Sequence, residues 1–584
     1  MCGIYACIGD IAANDKVLSG LKRIEYRGYD SWGIASCDQE IAIEKHVGKI
    51  SLVKELQLIP RTIAIGHTRW ATHGGVTQAN AHPHLASNGA FALVQNGVLE
   101  NYQELKKTAT KNGYQFKTQT DTEVIVALLE QENAQAIKLK SFASTMQQMV
   151  GRNTILLLEK SGGIWAYRQG SPLIIGKNQR GTFFFSSDLA SLSHDADMYY
   201  VLENQEIAHL EGKKLTIYQI ENLSVKTTLF QKLDQEALAV DKGNFPHFML
   251  KEIYEQTESL IKVLSESHNL FKKIAKKIDL ASNIYLVGAG SASYAALHTT
   301  IELRKYKQHV FHVPAYDYAD FENNWNKQDL AIVLSQSGET ADTIEAVEKM
   351  QAKGVFIVSV VNMPSSTLMK NADLTYPLNV GAEIGVASTK ALTAHILFGM
   401  ALSDYLLHRN FKFQASVAAF CDQLKKWLSN PQVMKQIRQT AQTLSTKKDL
   451  YILGRGSNFP SALEFALKIK EVSYIHAEGF SAGELKHGVI ALIEKNTPVI
   501  CLVDEQNRQD MLSSAHEVKA RGAQVVGIAT DSEEVFDIHI KLPSKDFSNL
   551  GSIIIAQLLT YEIALLKNLD PDKPRNLAKS VTVK

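Results

Sequence analysis

The sequence predicts an α/β protein in several parts: a strand-rich N-terminal half, two tandem αβα domains built alike, and a short C-terminal tail. Three observations carry this. At 584 residues the chain is too long for one hydrophobic core. Its first 232 residues set short apolar runs between Gly, Asn and Asp turns, whereas beyond residue 250 apolar strands alternate with long helical patterns. Finally, Tyr285-Leu286-Val287-Gly288-Ala289-Gly290-Ser291 returns as Tyr451-Ile452-Leu453-Gly454-Arg455-Gly456-Ser457, an internal repeat.

In chain order, strands are expected at Ile63–Gly66, Phe91–Gln95, Thr154–Leu158 and Ile164–Arg168 within a domain over 1–232. A linker over 233–250 follows, marked by Asp241-Lys242-Gly243-Asn244-Phe245-Pro246. The repeats then span 251–427 and 428–569, with Leu330–Ser335 answering Val499–Val503 and Val355–Val361 answering Ala523–Ala529. The first copy continues into a polar turn and the second into Asp504-Glu505-Gln506, so one copy binds and the other has lost or changed its site. The tail is 570–584.

A formal net charge of +1 with interspersed signs offers no footprint for nucleic acid or an anionic membrane. No run is read as a bilayer span, and no secretory signal opens the chain. Five scattered cysteines argue for a reducing cytosol, hence a cytoplasmic location. His82 and His84 lack the company of a ligand cluster, so no metal is expected.

Cys2 directly follows the initiator Met. Once Met1 is removed, a thiol and a free α-amine share one residue, and that amine, with a reference pKa near 7.7–8.0, is a built-in general base. Three clusters fit a primary amide substrate. The loop from His67 to Gly74 gathers Arg69, Trp70, Thr72 and His73; Asn96 and the Gly97 N–H suit an oxyanion hole; Asp121 suits an α-ammonium and Arg69 an α-carboxylate. Each alone also reads as a turn or a helix cap.

In the second half, Ser335-Gln336-Ser337-Gly338-Glu339-Thr340 closes a strand and opens a helix, a cradle for phosphate or else a well-capped helix. Gly288-Ala289-Gly290-Ser291 lacks the third glycine and the following acid of a dinucleotide site. Glu464, Lys468 and Glu471 share a helical face, which ordinarily means a solvated stripe, yet a glycine-bracketed loop presenting His487 follows.

Cys2-Gly3-Ile4, Tyr26–Ser31, His67–Gly74 and Asn96-Gly97 resemble the αββα glutaminase domain of the class II, N-terminal-nucleophile amidotransferases. Ser335–Thr340, Glu383–Lys390, Ser473–Glu478, Gly483–Gly488 and the tail Pro574–Val583 resemble the sugar-isomerase half of the glucosamine-6-phosphate synthase family, and the likeness runs through the whole chain. The resemblance implies conversion of fructose 6-phosphate and glutamine to glucosamine 6-phosphate and glutamate, without a cofactor, in a homodimer. It implies Cys2 as nucleophile, Asn96 and Gly97 as the oxyanion hole, and Arg69, Thr72, His73 and Asp121 around glutamine, with Trp70 gating an ammonia passage. It further implies Ser291, Ser335, Gln336, Ser337 and Thr340 at the sugar phosphate, and Val386, Ser388 and Ala578 beside the sugar, with Glu383 and Lys468 in support. His487 opens the ring, Glu471 moves a proton between carbons 1 and 2, and Lys579 forms a Schiff base.

Against the family pattern, Ala292 stands in place of Ser, Gln95 of His, Trp32 of a small residue and Thr257 of Pro. Two rival readings lack support: phosphoribosyl transfer wants a paired-acid motif where Ser335–Thr340 stands, and a sugar-phosphate sensor has no need of Cys2, Glu471, His487 and Lys579 together. A related alternative is a deglycase working in the reverse direction.

Overall fold

The computed structural model describes residues 2–132, 136–233, 241–364 and 366–582. Residues 234–240 of the expected linker, and the last two of the expected tail, lie outside them. The chain divides into two compact units, Met1–Val240 with Ala578–Lys584, and Asp241–Leu577.

The first unit holds two antiparallel sheets, one of eight strands and one of seven. Period-2 alternation explains how they stack. In Gly3–Ile8, the side chains of Ile4, Ala6 and Ile8 join a core with Ala92, Val94, Leu156 and Leu158 of the other sheet. Tyr5 and Cys7 instead meet Val17 and Leu21 of helix Ala13–Arg23. On the far side, Phe91, Leu93, Ile155 and Leu157 pack under helices Thr122–Glu132 and Leu139–Gln148. Both faces of both central strands are therefore covered, in a helix–sheet–sheet–helix sandwich.

The second unit carries two five-stranded parallel sheets with one topology. In the first, the order is Val310–Pro314, Ile284–Gly288, Leu330–Ser335, Phe356–Val361, Leu374–Pro377. In the second it is His476–Ser481, Asp449–Gly454, Pro498–Leu502, Gln524–Ala529, Ile538–Lys541. The strands expected from the repeat are all present. The expected series skips both edge strands of each sheet, Val310–Pro314 and Leu374–Pro377 in the first and His476–Ser481 and Ile538–Lys541 in the second, which are only partly buried and carry no continuous apolar run. In each sheet the strand order reverses between the first and third strands, the place where open parallel sheets bind ligands.

Helix Ser548–Leu566 is long and apolar enough to cross a membrane, against the expectation that no such run exists. It is a core element here: Ser548–Tyr561 is buried throughout, in the cluster that also holds Ile452, Leu392 and Phe398.

Candidate active sites

In the first unit, Cys2 sits at the mouth of strand Gly3–Ile8, and its thiol donates to the Trp70 carbonyl at 3.6 Å. Gly3 pairs with Thr68, and a Cβ there would lie 2.7 Å from the Thr68 hydroxyl and 2.8 Å from Ile24 Cδ1, so a larger residue beside the thiol would displace its neighbours. Burial holds the thiol above its ordinary range, opposed by the Trp70 contact and by Arg69. Arg69, itself buried, donates to the carbonyls of His73 and Gly74, which ties down the polar loop.

Asn96 and Gly97 end strand Phe91–Gly97. Both polar ends of the Asn96 carboxamide are buried without a well-formed hydrogen bond, beside His67. Asp121 accepts from the Leu99 N–H at 2.8 Å and lies against its own amide and that of Thr122, the residue that opens helix Thr122–Glu132. Burial raises its pKa, while those amides and His73 oppose the shift. His73 packs edge-on against Tyr102, leaving a buried ring nitrogen without a partner. Thr72 is exposed and Trp70 half-buried. Electrostatics therefore link Cys2 to both Arg69 and Asp121, while the Asn96 carboxamide lies beside the His67 ring.

In the second unit, the loop Ser335–Thr340 leaves the third strand at the order reversal. Ser335 Oγ accepts from Gly338 N at 2.9 Å and Ser337 Oγ from Glu339 N at 3.1 Å. The serines thus shape the turn. Thr340, at the cap position of helix Ala341–Ala352, makes no capping bond with its side chain. Gly338 has φ +64°, and a Cβ there would strike Ser366. The equivalent place in the second copy is filled by protein: Asp504 accepts from Asn458 Nδ2 at 2.9 Å and Asn507 N at 2.7 Å.

The charged face of helix Asn458–Ser473 is buried, not solvated. Glu464 and Lys468 are 1% and 0% exposed, and Lys468 Nζ bridges Glu464 at 3.3 Å and Glu471 at closer range. Ser291 Oγ, opening the helix after the first strand, donates to Glu464 Oε1 at 3.1 Å. Burial disfavours charge on Lys468, yet the two carboxylates outweigh it and hold the ammonium above its ordinary range. Burial pushes Glu464 up to about 7, and its Oε2 has no partner. A row Ser291–Glu464–Lys468–Glu471 thus leads from the first copy's turn along the second copy's helix.

Sequence reasoning missed the residues that hold the loop Glu383–Ser388. Glu252 accepts from Ile384 N, Gly385 N and Thr389 Oγ1 at 2.6, 3.0 and 2.9 Å. Asp572 receives Phe248 N and Met249 N, both at 2.8 Å, while its own carbonyl receives Val386 N at 3.1 Å. Glu383 is engaged by Thr389 N and Ala391 N, so its carboxylate shapes the loop.

A glutamine amidotransferase domain model matches residues 54–234, and an SIS domain model matches 277–403 and 443–566. A glutamine–fructose-6-phosphate aminotransferase (isomerizing) of Pyrococcus horikoshii is 38% identical over 601 residues, covering both chains completely. Its namesake from Pyrobaculum aerophilum is 36% identical over 609 residues, again with full coverage of both. The chain belongs to the glutamine–fructose-6-phosphate aminotransferase family. The solved C-terminal domain of a glucosamine-fructose-6-phosphate aminotransferase from Francisella tularensis matches 57% of this chain and 100% of its own, at 28% identity and a TM-score of 0.50.

For a member of this aminotransferase family, three expected site residues stand apart from the groups above. His487 is exposed on the short helical turn Glu484–His487 and makes no hydrogen bond among the described residues. Ala578 and Lys579 are half-buried in the segment grouped with the first unit, where Ser171 Oγ donates to Thr582 Oγ1 at 3.3 Å. Upstream, Arg575 belongs to the second unit, with its guanidinium 4.2 Å over the Tyr474 ring.

Proposed function

We infer that this protein makes glucosamine 6-phosphate and glutamate from fructose 6-phosphate and glutamine. The observation that carries the reading is the full-length kinship to aminotransferases of that name, with a glutamine amidotransferase domain and two SIS domains in one chain. In the first, the Cys2 thiolate attacks the glutamine amide carbon after Met1 is removed, its proton going to the α-amine of Cys2. The Asn96 carboxamide and Gly97 N–H receive the developing oxyanion, ammonia leaves, and water cleaves the thioester to glutamate. Arg69, Thr72, His73 and Asp121 hold the amino-acid end, and Trp70 borders the passage for ammonia.

In the second, the amides and hydroxyls of Ser335, Gln336, Ser337 and Thr340, with Ser291, take the phosphate. Val386, Ser388 and Ala578 border the sugar, supported by Glu383 and Lys468. His487 opens the ring and Lys579 forms an imine with the ketone. Ammonia then displaces the lysine, and Glu471 carries a proton from carbon 1 to carbon 2 to give the amino aldose. A homodimer fits the exposed position of His487, which a second copy would bury against its own sugar pocket. The chemistry and the free state of all five cysteines suit the cytoplasm.

Product analysis tests this. Glutamine and fructose 6-phosphate together should give glucosamine 6-phosphate, glutamine alone slow release of glutamate, and the sugar alone no amino sugar. Glutamate without amino sugar from the complete mixture would contradict the reading.

A further inference from the structure

Gln95 precedes the oxyanion pair, and its polar groups are committed in four directions. Its carbonyl accepts His67 Nε2 at 2.9 Å, from a strand of the opposite sheet. Its N–H donates to His82 Nδ1 at 3.4 Å, so His82 carries its proton on Nε2 and donates to Thr122 Oγ1 at 3.1 Å. The Thr122 hydroxyl, having received that bond, donates to Gln95 Oε1 at 2.6 Å. The ring of donors therefore starts and closes on Gln95. The remaining Nε2 donates to Asn153 Oδ1 at 2.6 Å, and Asn153 in turn donates to the Val150 carbonyl at 3.3 Å.

Gln95, His67, His82, Thr122 and Asn153 are all at least nine-tenths buried, where an unmet polar group is costly and a satisfied ring fixes geometry. The ring has only one direction, and it requires neutral His82. Burial enforces that, with His67, His84, Arg69 and Lys45 all opposing a second proton. What the ring spans is functional: Gln95 adjoins Asn96 and Gly97, and Thr122 adjoins Asp121. The ring thus ties the strand end that carries Asn96 and Gly97 to the start of the helix beside Asp121, alongside the direct bond from the Leu99 N–H to Asp121.

We propose that Gln95 is a positioning residue of the glutaminase site, holding Asn96–Gly97 in register with Asp121 through its closed ring with His82 and Thr122. The inference rests on the glutaminase reading above. The test is a double-mutant cycle in the full chain, Gln95→Leu and Thr122→Val singly and together, reading kcat and KM for glutamine hydrolysis beside the melting temperature. Each single change should lower kcat/KM by about tenfold or more, as expected when a buried partner is left unmet, and the double variant should fall little further. Single variants within about threefold of the parent, or losses that multiply in the double variant, would overturn the proposal. If Gln95→Leu does not fold, the same-shape Gln95→Glu, whose carboxylate faces Asn153 Oδ1, should show the same loss with a KM rise; unchanged kinetics there would overturn it as well. A parent chain that hydrolyses no glutamine would defeat the glutaminase reading itself, whereas an active parent with unaffected variants defeats only the role of Gln95.

Discussion

Gly97 lies at φ +145°, and a Cβ there would sit 2.0 Å from the Arg152 carbonyl. Alanine at this position must move the strand end that carries the proposed oxyanion donors. Gly97→Ala should therefore abolish glutamine hydrolysis while leaving sugar-phosphate binding in place, as kinetics and calorimetry would report. The neighbouring His67 and His82 rings stack at 4.2 Å, with His84 edge-on at 4.8 Å from His82. Burial drives His67 down to about 3 and the other two well below their ordinary value. A histidine kept neutral in the fold binds more protons when unfolded. Its contribution is therefore complete above about pH 6.5 and declines as pH falls toward 3, by up to about 1.4 kcal/mol per pH unit for each ring. Chemical denaturation of the first unit should show this acid slope, and His67→Gln should make it shallower.

At the scale of elements, the loop Glu383–Ser388 is held by carboxylates from distant parts of the sequence. Asp572 links the start of helix Phe248–Val263 to Val386, and Glu252 from that helix holds three further donors of the loop and the residue after it. Asp572→Ala should raise the KM for fructose 6-phosphate by about tenfold, through loss of two charge-assisted bonds, and leave glutamine hydrolysis unchanged. Cys2, Asn96 and the Ser335–Thr340 turn stand out in the sequence as candidates, because the chemistry proposed for them restricts residue types within a few positions. It does not reveal Glu252 or Asp572, since an acid that binds amides far along the chain looks like any surface acid. Glu464, Lys468 and Glu471 are an intermediate case. Their spacing is plain, but their burial comes from helices Ser548–Leu566 and Ser291–Leu303 packing on Asn458–Ser473, a tertiary fact that periodicity does not carry. The edge strands escape for a similar reason, as half-covered strands lack an apolar signature.

At the scale of the molecule, two copies of one parallel fold have diverged at the same place: a polar turn at the strand reversal in one, an aspartate filling it in the other. The row from Ser291 to Glu471 then links the two copies side chain to side chain. The imine role proposed for Lys579 should be separable from the amide chemistry. Lys579→Arg keeps the charge but forms no imine, so amino-sugar synthesis should vanish while glutamine hydrolysis persists; normal synthesis would remove the lysine from the mechanism. The central claim is that nitrogen released at Cys2 ends on the sugar. Incubation with amide-15N glutamine and fructose 6-phosphate, followed by mass spectrometry, tests it most directly. The account predicts 15N-labelled glucosamine 6-phosphate, absent when Cys2 is replaced by Ala; free labelled ammonium and glutamate with no labelled amino sugar would contradict it.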